Sequence, residues 1–293
     1  MASLLDCAGM TEAGGEQLLV GGRSTSGVVR VADTVRRPMG PWSPTVHALL
    51  RHLADRGFDE SPRVLGVDAA GRETLTYMDG EVATDPSWQP GAPAYWPDWL
   101  RRMETVAAHG RLVRRLHEVA ATFVTQDDGW REHQGRQGRD ELVSHGDLGP
   151  WNIAYRDGLP IGIIDWDHCE PITPVVDFGT AAWNLVPLGD DRFPDTPQRL
   201  RRFCDAYGLS DPDTVLIAVH HGRLKRAEHL RFWHRRPAHS VRGLGGVAAS
   251  LQWLDTHWDA LAAVLDASPS ASPAMTGDTP LAGLLRAGVA RWA

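Results

Sequence analysis

Apolar and polar positions change rhythm along the chain. Residues 18 to 38, LLVGGRSTSGVVRVADTVRRP, set short apolar runs between Gly, Ser and Asp-Thr breaks. That pattern predicts two or three short antiparallel strands joined by tight turns, the first turn glycine-rich. After Pro44 the segment TVHALLRHLADRG places Val46, Leu49, Leu50 and Leu53 on one face and closes at Gly57, an amphipathic helix with its stop signal. A further pair of strands, RVLGVDAAGRETLTYM, turns at Ala70-Gly71. The first part of the chain is therefore expected to be a small antiparallel sheet carrying one helix.

From Asp79 to Asp98 the sequence is rich in Pro, Gly and Trp and reads as a connector. Beyond it, Met103, Val106, Ala107, Val113, Leu116, Ala120 and Phe123 recur at helical spacing, predicting a long core helix over 101 to 123. A polar run, DDGWREHQGRQGRD, reads as a loop, and ELVSHGD and NIAYRDGLPIGIIDWD as short strands, the latter two turning at Asp157-Gly158. From Val176 to Asp266 the periodicity is mostly helical. Residues 267 to 279, ASPSASPAMTGDT, resemble a linker, and a short amphipathic helix follows. The expected division is 1–78, 79–266 and 267–293.

Composition narrows the function classes. With 42% apolar and 23% charged residues the chain has ordinary globular usage, and at 293 residues it can bury a large core. Net charge is −7 with Arg interspersed among acids, so no continuous basic footprint for nucleic acid exists. Cys7, Cys169 and Cys204 lie far apart and indicate neither a disulfide framework nor a zinc knuckle. MASLLDCAGM has no basic start or signal-length apolar run, and no stretch approaches a membrane span, so a cytoplasmic protein without a membrane partner is expected. Lys225 is the sole lysine, so a phosphate grip elsewhere must use Arg, backbone amides or metal.

The densest chemistry lies in His145-Gly146-Asp147-Leu148-Gly149-Pro150-Trp151-Asn152, followed by Ile163-Ile164-Asp165-Trp166-Asp167. Gly146, Gly149 and Pro150 make the first segment a turn-rich loop whose polar side chains can project from a strand edge. Asp165 ends an apolar strand on the far side of a hairpin that returns it beside Asn152. Magnesium prefers hard oxygen ligands and takes only one or two protein carboxylates, which Asn152 and Asp165 can supply. Phosphoryl transfer also needs a carboxylate that orients the acceptor hydroxyl and takes its proton, and Asp147 is placed for that. The adjacent Asp167 can assist the metal or form a salt bridge, and His145 is expected to brace the loop by a hydrogen bond.

HGDLGPWN followed by IIDWD resembles the catalytic and metal loops of the aminoglycoside phosphotransferase family, relatives of choline kinases and protein kinases, over roughly residues 15 to 260. The resemblance implies an α+β, bilobal protein-kinase-like fold with a small antiparallel-sheet lobe and a larger helical lobe. It also implies a transfer of the ATP γ-phosphoryl group to a hydroxyl of a small molecule, an antibiotic or metabolite. Asp147 maps onto the catalytic base, and Asn152 and Asp165 onto the magnesium ligands. Eighteen residues separate Asp147 from Asp165, an interval similar to that in protein kinases. Asp177-Phe178-Gly179 reads like the kinase DFG, but falls too far along and is expected to be structural.

For the nucleotide, the glycine-rich hairpin with Gly22, Ser26 and Gly27 can cover phosphates with its amides. By resemblance the third strand carries a phosphate cation, assigned to Arg36, and Tyr77-Met78 is similar to the hinge that meets the adenine. The following helix offers His47 where the family has the Glu that fixes the cation, so that ion pair is expected to be altered. This departure keeps open a nucleotide-binding regulator without turnover, and the DHCE run with His145 keeps open metal-dependent hydrolysis. The helix around Arg223, Lys225, Arg226, Arg231, Arg235 and Arg236 is basic, unlike what a polycationic acceptor requires. Oligomeric state is not encoded in any pattern found.

Overall fold

The computed structural model describes residues 11–12, 15–19, 25–84, 95–133, 135–234, 241–267 and 273–292. Its first part is a six-stranded antiparallel sheet of β1 (Thr11–Glu12), β2 (Glu16–Leu18), β3 (Val29–Val31), β4 (Thr34–Pro38), β5 (Val64–Val67) and β6 (Arg72–Thr76), in the order β1-β2-β3-β4-β6-β5. Helix α1 (Ser43–Asp55) carries Leu49, Leu50 and Leu53 at the predicted spacing, all buried. It ends where Gly57 takes a left-handed conformation and Phe58 N–H returns 2.9 Å to the Leu53 carbonyl, a hydrogen-bonded helix stop.

The pairing of β4 with β6 decides which arginine of β4 turns inward, because it sets Val35 opposite Leu75 and Arg37 opposite Glu73. Side chains alternate across a strand, so Val35 and Arg37 share one face with Glu73 and Leu75, while Arg36 takes the other. Glu73 and Leu75 are both buried.

Within the expected connector, β7 (Glu81–Val82) joins β9 (Ile153–Arg156) and β10 (Leu159–Ile163) in a second sheet. Strand β8 (Leu142–Ser144) pairs with β11 (Glu170–Ile172). Helices α2 (Met103–Ala120), α3 (Pro174–Leu185), α4 (Thr196–Tyr207), α5 (Pro212–His234), α6 (Val241–Asp266) and α7 (Pro280–Ala290) complete the second part. Its helices pack closely where glycines permit, Gly110 of α2 against the backbone of Phe203 in α4 and Gly179 of α3 against Ala218 in α5.

One buried polar cluster inside this part is fully paired. Asp177, buried at the start of α3, accepts from Ser144 Oγ at 2.6 Å and from His117 Nε2 at 2.8 Å. Its DFG-like tripeptide thus ties β8, α2 and α3 together, Phe178 filling the core and Gly179 admitting α5. No helix of the described residues is long and apolar enough to cross a membrane.

Candidate active site

The β9–β10 hairpin turns at Asp157-Gly158, both with positive φ (54° and 80°), the backbone that tight hairpins require. It returns Ile164 beside Asn152, with Ile164 N–H 2.9 Å from the Asn152 carbonyl. Asp165 follows at φ 61°, ψ 62°, a left-handed conformation that costs a non-glycine residue roughly 1–2 kcal/mol. Such strain persists where the surroundings over-determine it, and it marks Asp165 as a functional candidate.

Asp147 sits across from it. Gly146 takes φ 77° and lies so close to the His168 carbonyl that a Cβ would run into it, so only glycine makes this bend. His145 is buried and its imidazole pKa is pushed down by that burial. It donates from Nε2 to the Ile164 carbonyl at 2.8 Å and accepts the Asp147 N–H at Nδ1 at 3.4 Å, bracing the 145–152 loop against the strand that leads to Asp165. Asn152 donates from Nδ2 to the Asp147 carbonyl at 2.9 Å and to Asp147 Oδ2 at 3.1 Å. Trp151 Nε1 is 3.3 Å from the same carboxylate, and Asn184 of α3 donates to the Leu148 carbonyl at 2.9 Å. The side chains of Asp147 and Asp165 are 26% and 29% exposed, open to a ligand yet fixed in place.

The donor set fits magnesium. With Nδ2 spent on Asp147, Asn152 has its amide oxygen left to coordinate, and Asp165 adds one carboxylate: hard oxygens, with room for phosphates and water. Among the described residues no group of three or more His, Cys, Asp or Glu side chains forms a metal cluster.

Arg36, expected to face the phosphates, and its neighbour Arg37 take opposite faces of β4. Arg36 is 32% exposed, with Asp68 at 3.9 Å as its ion-pair partner, on the face away from the loop carboxylates. Arg37, 9% exposed, places Nε 3.1 Å from Glu73 Oε1, Nη1 3.2 Å from Asp165 Oδ1, and Nη2 on Asp167. Burial works against the Arg37 charge, but the carboxylates of Asp167, Asp165 and Glu73 outweigh it and hold the pKa above its ordinary value. The missing helix carboxylate has a substitute: Glu73 comes from β6, and His47 of α1 hydrogen-bonds it, so the helix still anchors the pair through imidazole. Arg131, its guanidinium 4.8 Å from the Trp42 ring, adds a second contact to Asp167 at 3.3 Å. Asp167 is thus a salt-bridging residue.

Of the other nucleotide candidates, Gly22 lies outside the described residues. Ser26 and Gly27 are exposed on the hairpin between β2 and β3, and Thr25 beside them donates to Asp167 at 3.3 Å. Tyr77 N–H is occupied by the Asp33 carbonyl at 2.8 Å, and the Arg30 guanidinium covers the Tyr77 ring at 3.8 Å. Met78 lies over Gly162, three residues before Asp165, where any side chain would displace it. Arg37, Glu73, Thr25 and Arg131 escape a motif search. The signal for the first two was alternation, since apolar Val35 and Leu75 fix which face of each strand is buried.

A small antiparallel sheet followed by a helical body, with Asp147 and Asn152 on one loop and Asp165 at the end of the adjoining hairpin, is the arrangement of a protein-kinase-like fold. The phosphotransferase enzyme family model matches residues 93–217. The chain is 32% identical over 266 residues, 84% of its length and 96% of the relative's, to the trifolitoxin immunity protein of Rhizobium leguminosarum bv. trifolii. The chain belongs to the phosphotransferase enzyme family. Its fold is similar to that of a choline/ethanolamine kinase family protein from Mesorhizobium loti (TM-score 0.54, 18% identity, 89% of this chain and 95% of that one). It is also similar to a macrolide 2'-phosphotransferase from Brachybacterium faecium (TM-score 0.50, 14% identity, 89% and 95%).

Proposed function

We propose that the protein is a cytoplasmic, ATP-dependent small-molecule kinase that transfers the γ-phosphoryl group to a hydroxyl. One observation carries the reading: Asn152 Nδ2 holds Asp147 at 3.1 Å, and Ile164 N–H on the Asn152 carbonyl at 2.9 Å sets the next residue, Asp165, beside that loop with Arg37 of the sheet on its carboxylate. Asp147 orients the acceptor hydroxyl and takes its proton. Asn152 and Asp165 would hold magnesium, which would supply charge neutralisation for the phosphates. Arg37, in place of Arg36, is positioned for the nucleotide phosphates, and its fork suits bidentate contact. The hairpin at Ser26-Gly27 covers the phosphates, and the Tyr77-Met78 segment borders the adenine.

The relatives' names, one for immunity to a toxin and another for a macrolide 2'-phosphotransferase, favour a toxin or antibiotic over a housekeeping metabolite as acceptor. The regulator reading rested on a missing cation–carboxylate pair, and Arg37–Glu73 removes that motive. Magnesium-dependent ADP release against a panel of hydroxylated antibiotics and metabolites tests the proposal. Asp147→Asn is expected to lower turnover by about 10²–10⁴ while nucleotide affinity stays near wild type. Lost nucleotide binding with normal turnover per bound nucleotide would contradict the role of Asp147.

A further inference from the structure

On the acceptor side of the catalytic loop, α3 and α5 approach closely because Gly179 and Gly222 face each other's helices without side chains. This contact brings α5 to the loop, with two of its arginines three residues apart and therefore on one face. Arg226 places Nη1 3.9 Å from Asp147 Oδ1 and is 44% exposed. Arg223 lies with its guanidinium 4.6 Å from the Trp183 ring of α3, and Trp183 adjoins Asn184, the residue that holds the Leu148 carbonyl.

Lys225, between them, is engaged with Glu170 at 3.1 Å and Glu228 at 3.6 Å. Arg223 has no carboxylate within ion-pair distance among the described residues, and its buried Nε lacks a hydrogen-bond acceptor. A guanidinium held without a counter-charge is costly to keep, because burial penalises its charge unless an anion compensates. Burial first, and the neighbouring Arg226 charge second, pull the Arg223 pKa down to about 10. Two cations set against one carboxylate beside the reacting hydroxyl's base are the opposite of a polycation site.

Resting on the kinase reading above, we infer that the acceptor carries an oxyanion, a carboxylate or a phosphate, that docks on Arg223 and Arg226 while its hydroxyl meets Asp147. The aromatic face of Trp183 holds the Arg223 fork in place for it. A planar guanidinium pair suits both oxyanions, and an aminoglycoside would meet like charge there.

The test is an NMR titration of full-length, isotope-labelled protein saturated with magnesium and a non-hydrolysable ATP analogue, with sodium sulfate in one arm and sodium acetate in the other. The arginine Nε–H signals report the site. Saturable shifts of the Arg223 and Arg226 signals in the millimolar range are expected, with sulfate alone active for a phosphate site and acetate active as well for a carboxylate site. Arg226→Gln, an exposed helix position that folds without difficulty, should weaken the affinity roughly tenfold, the size of one charge-assisted hydrogen bond. Arg223→Gln should weaken it at least as much. Absence of any shift, or wild-type affinity in both variants, overturns the proposal. So does anion binding that appears without the analogue and vanishes in its presence, since the arginines would then serve the γ-phosphate. An analogue that fails to bind rejects the kinase reading separately, and the anion shifts still decide this one.

Discussion

Replacing Arg36 and Arg37 by methionine, one at a time, tests the placement of the phosphate cation directly. Arg37 faces Glu73 and Asp167, whose side chains are 4% and 6% exposed, and removing it leaves both carboxylates buried with one partner fewer. Breaking a buried pair costs about 3–5 kcal/mol, and the low end applies because Glu73 keeps His47 and Asp167 keeps Arg131. Arg37→Met should therefore lose about 3 kcal/mol of stability. Its kcat/KM for ATP should fall by about 10²–10³, as when a preorganised charge-stabilising donor is deleted. Arg36 is partly exposed with a 3.9 Å ion pair, so Arg36→Met should change stability by about 0–1 kcal/mol and leave ATP kinetics near wild type. Urea unfolding with ADP-release kinetics, run where both variants are folded, reads the two effects apart. A collapse of ATP turnover in Arg36→Met alongside normal turnover in Arg37→Met would refute the strand-face argument.

Further expectations concern the loop and its surroundings. Gly146→Ala should lower stability by about 1–3 kcal/mol and abolish turnover, because the new methyl group meets the His168 carbonyl at a positive φ; a fully active variant melting like wild type would count against the loop geometry. Asn184→Ala, which frees the Leu148 carbonyl from α3, should reduce kcat more than ATP affinity; stopped-flow nucleotide binding beside steady-state rates checks it. Stability should also depend on pH through a buried network. Burial raises the Glu170 pKa, but the hydrogen bond from His229 and the charges of His229 and Lys225 bring it below the usual 4.5, with His133 also facing it at 3.7 Å. A depressed carboxyl contributes stability above about pH 4.5 that is lost as pH falls through the lower folded value. Burial lowers the His168 pKa, but its bond to Glu132 and the nearby carboxylates raise it above 6.5, so its contribution is complete below that pH and fades as pH rises through the folded value. Unfolding curves across pH should flatten on the acid side in Glu170→Gln and on the alkaline side in His168→Gln; unchanged limbs would contradict these signs.

Much of the fold was legible in the chain because local rules and tertiary structure agree. The apolar spacing of Val46, Leu49, Leu50 and Leu53 gave α1, and Asp157-Gly158 gave the hairpin that carries Asp165 to Asn152. Resemblance pointed to Arg36 by residue type, whereas the pleat turns Arg37 toward the loop carboxylates, and Val35 already marked that inward face. Glu73 was hidden for another reason. Its partner is fixed by strand pairing across thirty-six positions of chain, and no single-sequence pattern encodes that register. Two-residue strands such as β7 leave too little alternation to be seen against a Pro- and Gly-rich background.

The grip of Arg37 has a consequence for how the cleft works. Its guanidinium is bonded to Glu73 on its own sheet and to Asp165 and Asp167 at the end of the opposite hairpin, so it fastens one half of the molecule to the other. A cation that took Asp165 Oδ1 would have to displace that fork, an exchange of partners instead of a simple addition. The fork released on one side would then be free to turn toward whatever anion accompanied the newcomer, so that loading this place and loosening the clasp between the halves would be the same event.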